Sequence, residues 1–405
     1  MKAPALELGD IFRLHGPAYL TTFGDSLSYE QNKALRTIAL CRTSALGGHV
    51  DQCDQCGYRK ISYCSCRNRH CPKCHGQARA RWLEQRAAEL LPVEYFHVVF
   101  TVPQLVAPLA LQNQQLVYGI LLRAAAETLL QIAADPRHLG ARIGFLAVLH
   151  TWGQNLHHHP HLHCVVPGGG IAPDQCRWLS CRQQFLFPVK VLSRLFRAKF
   201  LAYLKAAFRN GELGFHGELK CLGENRKYVK WLNRVAGTEW VVYAKPPFGG
   251  PRQVLKYLAR YTHRVAISNQ RLVSLENGQV TFRWKNYARA GEPATMTLKA
   301  EEFIRRFLLH VLPKGFVKVR HFGFLANRFR RDNVLLCRQL LAASSTAPAG
   351  LTPHYSDSNE PEANTVERCP RCKVGSMRLL EIVVPQADTI ACSSLTSTKV
   401  QMDTS

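Results

Sequence analysis

The stretch His150–Gly170, HTWGQNLHHHPHLHCVVPGGG, constrains this chain more than any other. Histidines stand at 157, 158, 159, 161 and 163, followed by the apolar run Cys164-Val165-Val166, then Pro167 and three glycines. An apolar run closed by proline and glycine reads as a strand ended by a turn. Residues two apart on a strand share a face, so His161 and His163 point one way and Leu162 the other. Two imidazoles side by side on a rigid strand suit one divalent cation. Standing alone, a His-x-His pair is as much a piece of solvated loop, and a metal there has a task only if another part of the chain does chemistry with it.

Charge narrows the search for that part. Lys and Arg number 53 against 28 acids, a net charge of +25 over 405 residues. Such an imbalance favours a polyanionic partner, nucleic acid first and an anionic membrane surface second. The length allows two or three domains. No apolar stretch approaches the roughly 18–20 residues of a spanning helix. The start, MKAPALELGDIF, lacks a basic segment leading into an apolar core, so no secretion signal is expected and the place of work is the cytoplasm, at the nucleoid. The 15 cysteines are odd in number, which without a signal argues against a disulfide framework.

Six of those cysteines lie between 53 and 74, in HVDQCDQCGYRKISYCSCRNRHCPKC. Two Cys-x-x-Cys knuckles stand out, Cys53/Cys56 and Cys71/Cys74, each giving two thiolates from one tight turn. Their separation is within reach of a tetrahedral four-sulfur zinc site. Cys64, Cys66, His49 and His70 are surplus, and one of them, Cys66 among the candidates, replaces a knuckle member or joins a second ion. Zinc here staples a small fold and holds Arg67 and Arg69, with Arg59, Lys60 and Lys73, on a rigid basic surface that suits DNA. Near the other end, Cys369-Pro370-Arg371-Cys372 is half a zinc knuckle; only Cys392 follows it, so the tail alone cannot complete that site.

Between these ends the chain alternates. Residues 1–45 read as helices, 77–91 as a helix, 94–102 as a strand, 104–134 as a long helical stretch and 143–150 as a buried strand. The connection from that strand to the histidines is short, so the two pair antiparallel, with the His-x-His pair on a central strand and helices behind. Gln154 sits in the turn between them. Its amide oxygen is a candidate third ligand, in competition with His157 and His159; otherwise it caps the turn. Further strands are expected at 176–187 and 239–245, a helix at 188–209, a hairpin at 271–286 turning on Asn277-Gly278, and a helix after residue 300 that ends at Pro313.

The working partner for the metal is expected in QVLKYLARYTHRVAI, residues 253–267, which reads as a helix. Tyr257 and Tyr261, four apart, share one helical face. Spacing alone favours a pair of half-buried tyrosines, but Lys256, Arg260 and Arg264 make the same element densely cationic. A phenol among cations, near a divalent metal, is a candidate nucleophile for phosphorus. Metal, tyrosine pair and basic chain together describe one reaction: a cation, Mg2+ or Mn2+, offsets charge on a DNA phosphate while a tyrosine oxygen attacks in line. A 5′-phosphotyrosine and a free 3′-hydroxyl result, and the conserved bond energy allows rejoining. A second tyrosine permits a second transfer before the first link is released.

HPHLHCVVPGG together with the later YLARY resembles the two-tyrosine HUH transposases of rolling-circle insertion sequences, and the six-cysteine stretch with NRHCPKC at 68–74 resembles their N-terminal zinc-binding domain. The resemblance covers roughly residues 20–335. It implies an α+β fold: an HUH-type nuclease domain with a central antiparallel sheet flanked by helices, plus an N-terminal helical and zinc-binding module. It also implies cutting of single-stranded DNA at the ends of a mobile element, with His161 and His163 as metal ligands, a polar upstream ligand for which Gln154 is the choice, and Tyr257 and Tyr261 as nucleophiles. The expected organisation is a helical lead-in over 1–45, a zinc-binding module over 46–91, the nuclease domain over 92–312, a basic helical region over 313–341 and a flexible tail over 342–405. Replication initiators and relaxases share this chemistry. A zinc-containing DNA-binding regulator without catalysis is the reading from another class.

Overall fold

The computed structural model describes residues 6–74, 86–87, 89–245, 265–286, 291–344 and 367–385. The helices expected over 77–91 and 253–267 fall mostly outside these stretches. Tyr257, Tyr261, Lys256, Arg260 and Arg264 lie outside them altogether.

Helices α1 (Leu8–Phe23) and α2 (Tyr29–Ala39) open the chain. Ser28 caps α2 by accepting from the Gln31 N–H while the Gln31 side chain returns to the Ser28 N–H, a reciprocal pair that satisfies two helix-end donors. Strands β1 (Gly48–Cys53), β2 (Arg59–Tyr63) and β3 (Tyr95–Thr101) follow. Then come α3 (Ala107–Gln112), α4 (Gln114–Ala134), β4 (Gly144–Trp152) and β5 (His158–Pro167). Short β6 (Gly169–Ile171) and β7 (Trp178–Ser180) pair with each other. Beyond them run α5 (Val189–Arg209), α6 (Asn225–Gly237), β8 (Val242–Lys245), β9 (Leu272–Glu276), β10 (Gln279–Asn286), β11 (Glu292–Lys299), α7 (Ala300–Leu308), β12 (Val319–Gly323), α8 (Arg330–Ser344) and β13 (Met377–Val383).

The α+β class expected from the chain holds. The central sheet has the order β12-β4-β5-β3-β8, and every neighbouring pair in it is antiparallel. The histidine strand β5 is the middle one, flanked by β4 and β3. Alternation then sorts its side chains: Leu162, Cys164 and Val166 enter a core with Phe100, Phe145 and Leu149, closed by α4 and α5. Burying side chains of this size is worth about 1.5–3 kcal/mol each, so β5 cannot slip by one residue without turning that apolar row out of the core. Among the described residues α4 is long and apolar enough to cross a membrane, which the sequence reading did not anticipate; 67% of its apolar window is buried inside the protein, where it serves as the core helix behind the sheet.

Two departures from the expected organisation matter for function. Residues 8–41 are more than a lead-in to the cysteines: Leu8, Ile11, Phe12, Leu35 and Ile38 share one core with Phe282, Phe303 and Phe307, so α1 and α2 pack with the β9–β11 sheet and α7. Residues 367–385 are not a loose tail. β13 pairs antiparallel with β1 from Gly48↔Val383 to Cys53↔Met377, making the sheet β13-β1-β2. The strand expected over 176–187 reduces to β7, and α6 was not anticipated.

Candidate metal and DNA site

The antiparallel register of β4 on β5 places His150 directly opposite His161 and Val148 opposite His163. Cross-strand partners share a face, so three imidazoles converge on the side of the sheet away from α4. Their ring centroids lie 5.5 Å apart for His150 and His161, 4.4 Å for His150 and His163, and 4.9 Å for His161 and His163. One ring nitrogen from each falls within 4.8 Å of the others. His150 and His163 are buried, and His161 is partly exposed.

Hydrogen bonds orient the rings. His161 Nδ1 donates to the His159 carbonyl at 2.7 Å. His163 Nδ1 is 2.8 Å from His97 Nε2, and the two rings stack within 5° of parallel. Metal-bound imidazoles are typically oriented in this way, with one ring nitrogen hydrogen-bonded to a neighbouring group. Three imidazole nitrogens on one rigid face fit a divalent ion.

At the third position, for which Gln154 was expected, the strand register presents His150. β4 runs on to Trp152, so the residue facing His161 is His150, while Gln154 falls in the turn beyond the strand. That turn is pinned by its backbone: Arg271 donates to the Gln154 carbonyl, Arg306 to the Asn155 carbonyl at 3.2 Å and His310 Nε2 to the Leu156 carbonyl at 3.0 Å. His158 and His159 are strand residues rather than loop residues, and buried His158 meets the Tyr118 hydroxyl at 2.7 Å. Burial lowers the His158 pKa to about 4 and that of His310 to about 3, so both are neutral spacers under the cluster. Sequence reasoning also missed Trp152, which stacks on His150 at 4.7 Å, and Lys318, whose ammonium lies 5.0 Å from the Trp152 ring centre. Desolvation lowers the Lys318 pKa to about 7. Neither residue follows a spacing rule; they meet through the β12–β4 pairing.

The cysteines sort differently from the expectation of one site at Cys53, Cys56, Cys71 and Cys74. The two knuckles part company. Cys71 and Cys74 gather with Cys66 and with Cys41 at the end of α2, with sulfur separations of 3.5–3.6 Å. Cys53 and Cys56 turn instead toward Cys369 and Cys372. The reason is the strand pair β1–β2, which carries Cys53 at its far end, away from Cys71. Arg69, expected on a DNA-facing surface, donates to the carbonyls of Phe316, Leu312 and Pro313. Its guanidinium thereby ties the cysteine loop to the segment before β12. Arg67 and Arg69 are both exposed and line one groove with Lys33, Lys314 and Tyr29.

Comparison with known proteins agrees with this layout. Residues 144–333 match the family described as “Putative transposase”, and residues 11–102 match the transposase zinc-binding domain of the IS91 type. The “Putative transposase y4qJ” of Sinorhizobium fredii is 55% identical over 379 residues, 93% of this chain and 95% of that protein. The transposase for insertion sequence element IS801 of Pseudomonas savastanoi pv. phaseolicola is 28% identical over 314 residues, 77% of this chain and 74% of that protein. A solved conjugative relaxase Trwc in complex with oriT DNA, metal-bound, aligns with 60% of this chain and 71% of its own at 14% identity and a TM-score of 0.25. The two family matches and the sequence relatives define a DNA-acting transposase. The chain belongs to the IS91 family of rolling-circle insertion-sequence transposases. The four-sulfur cluster inside its zinc-binding domain identifies Zn2+ as a structural ion.

Proposed function

We propose that this transposase is an HUH-type strand transferase that cuts and rejoins single-stranded DNA in the cytoplasm. Tyr257 and Tyr261 are its nucleophiles, and His150, His161 and His163 hold a divalent cation beside the scissile phosphate. The observation that carries the reading is the convergence of those three imidazoles, each on a rigid strand, with His97 and the His159 carbonyl orienting two of them. A bound cation supplies charge against the non-bridging oxygens of the phosphate. All-nitrogen donors favour Mn2+ over Mg2+, which prefers oxygen ligands.

The chain's own groups do the rest. A tyrosine oxygen bonds to phosphorus, the bond to the 3′-oxygen breaks, and the phenol's proton is given up as the 3′-oxygen gains one. The reach is supported by the flanks of the segment that carries the tyrosines. It leaves β8 at Lys245, paired with His97 two strands from β5, about 10 Å across the sheet. It returns at Ala266 and Ile267, which pack with Leu156 of the turn between the two histidine strands. One flank thus lies two strands from β5 and the other beside the turn between β4 and β5.

The test is a denaturing gel after incubation with Mn2+ and single-stranded DNA carrying the ends of the parent element. A protein–DNA adduct is expected from the native chain and from each single variant, Tyr257→Phe and Tyr261→Phe, at reduced yield, and none from the double variant. An adduct of undiminished yield in the double variant removes the tyrosines from the mechanism.

A further inference from the structure

We propose that Cys53, Cys56, Cys369 and Cys372 form a second zinc site, separate from the one at Cys41, Cys66, Cys71 and Cys74, which clamps the C-terminal segment onto the N-terminal module. Cys369 and Cys372 lie outside both stretches matched by the transposase families. The inference stands on the cysteine geometry and is independent of the tyrosine mechanism.

Distances come first. Cys53 Sγ lies 3.7 Å from Cys372 Sγ, and Cys56 Sγ lies 3.7 Å from Cys369 Sγ. All four sulfurs fall within 4.8 Å of one another. A disulfide needs about 2.05 Å, so these are not bonded pairs. Four thiolates at about 2.3 Å from a zinc ion stand roughly 3.8 Å from each other at the corners of a tetrahedron, which is the spacing found.

The two knuckles are built alike. In each, the residue after the second cysteine takes a left-handed conformation, Gly57 at φ 67° and Lys373 at φ 61°. Its N–H returns to the first cysteine's carbonyl: Gly57 to Cys53 at 3.2 Å and Lys373 to Cys369 at 2.9 Å. Backbone N–H groups also point at sulfur. Gln55 and Cys56 approach Cys53 Sγ at 3.4 Å, and Gly375 approaches Cys372 Sγ at 3.3 Å. Donors aimed at sulfur favour the thiolate, the form that ligates a metal.

The surrounding backbone closes the site. β13 follows the second knuckle and pairs with β1, which leads into the first. Asp54 and Ser376 exchange bonds across the join, Asp54 N to the Ser376 carbonyl at 3.1 Å and Ser376 N to Asp54 Oδ1 at 2.9 Å. Gly375 sits so close that a Cβ there would meet Cys53 Sγ at 2.5 Å. Only glycine lets the second knuckle approach the first. Four soft, mutually repelling thiolates brought together by two ends of one chain call for a cation, and a tetrahedral all-sulfur set suits zinc.

The experiment is zinc content per chain on purified full-length protein, by native mass spectrometry, with thiol alkylation mapped by peptide analysis. Two zinc ions are expected in the native chain. One is expected in Cys369→Ser/Cys372→Ser and one in Gly375→Ala, which keeps every cysteine. In the native chain, Cys53, Cys56, Cys369 and Cys372 should resist alkylation together and become reactive together on chelation, a readout that needs no variant to fold. One zinc in the native chain, two in the Cys369/Cys372 variant, iron in place of zinc, or alkylation of Cys369 and Cys372 while Cys53 and Cys56 stay protected would each overturn the second site.

Discussion

The histidine cluster makes separate demands on separate residues. His150→Ala removes one of three nitrogens facing the same point, whereas Gln154→Ala alters a turn residue held by Arg271 through its backbone carbonyl. Mn2+ affinity measured by calorimetry is therefore expected to collapse in the first and stay near native in the second; the reverse would restore Gln154 as the ligand. His97→Phe keeps a ring but loses the partner of His163 Nδ1, and loss of such an orienting bond typically weakens metal binding about 10–100-fold. The two arginines expected on DNA divide in the same way. Arg67→Ala should shallow the salt dependence of single-strand binding by about 0.7 in log–log slope. Arg69→Ala should leave that slope nearly unchanged and lower the urea midpoint, because three carbonyls lose a charged donor worth about 1.5–3 kcal/mol. His161 and His163 were legible because a period of two is local. His150 was not, because which residue faces His161 depends on where β4 ends and on the bulge between His150 and Trp152.

Elements were legible where their signal lay within one run of sequence. The β5 strand, its antiparallel pairing with β4, the hairpin at Asn277-Gly278 and helices α4 and α5 all follow from periodicity and turn chemistry. β12 and β13 do not, because each is a short strand recruited from far along the chain, and nothing local tells VRHFG to pair with β4 or MRLLEIV with β1. The grouping of both knuckles at one zinc failed for the same reason, since two knuckles fourteen residues apart look like one site until β1 and β2 carry the first away. β12 is held at its end by Gly323, at φ 62°, where a Cβ would fall 1.8 Å from the Ile143 carbonyl oxygen. Gly323→Ala thus combines a left-handed strain of roughly 1–2 kcal/mol with a clash against backbone. Its urea midpoint should drop sharply, and hydrogen exchange should rise along β12 and β4 ahead of β3. An unchanged midpoint would mean that the β12 end lies differently.

At the scale of the whole molecule, the two large apolar cores meet over a buried polar seam. His158 of β5 reaches Tyr118 of α4 on one side, while His310, just past α7, bonds Thr151 at 3.2 Å and the Leu156 carbonyl at 3.0 Å on the other. Desolvation holds both imidazoles neutral, with pKa values lowered from 6.5 to about 4 and about 3. In the unfolded chain both would titrate near 6.5. Between that value and about 4 the unfolded chain therefore binds more protons than the folded one, and unfolding becomes easier as pH falls, by up to about 1.4 kcal/mol per pH unit for each histidine. Stability is full above pH 6.5 and is lost on the way down. The chelating thiolates also protonate in acid, so the measurement is a comparison: urea midpoints of the native chain and of His310→Gln from pH 7 to pH 4. Loss of metal and the His158 contribution affect both alike, whereas the His310 contribution is present only in the native chain. The variant is expected to start less stable and to fall more gently with acid, and parallel curves would show that His310 takes up its proton without opening the joint between the two cores.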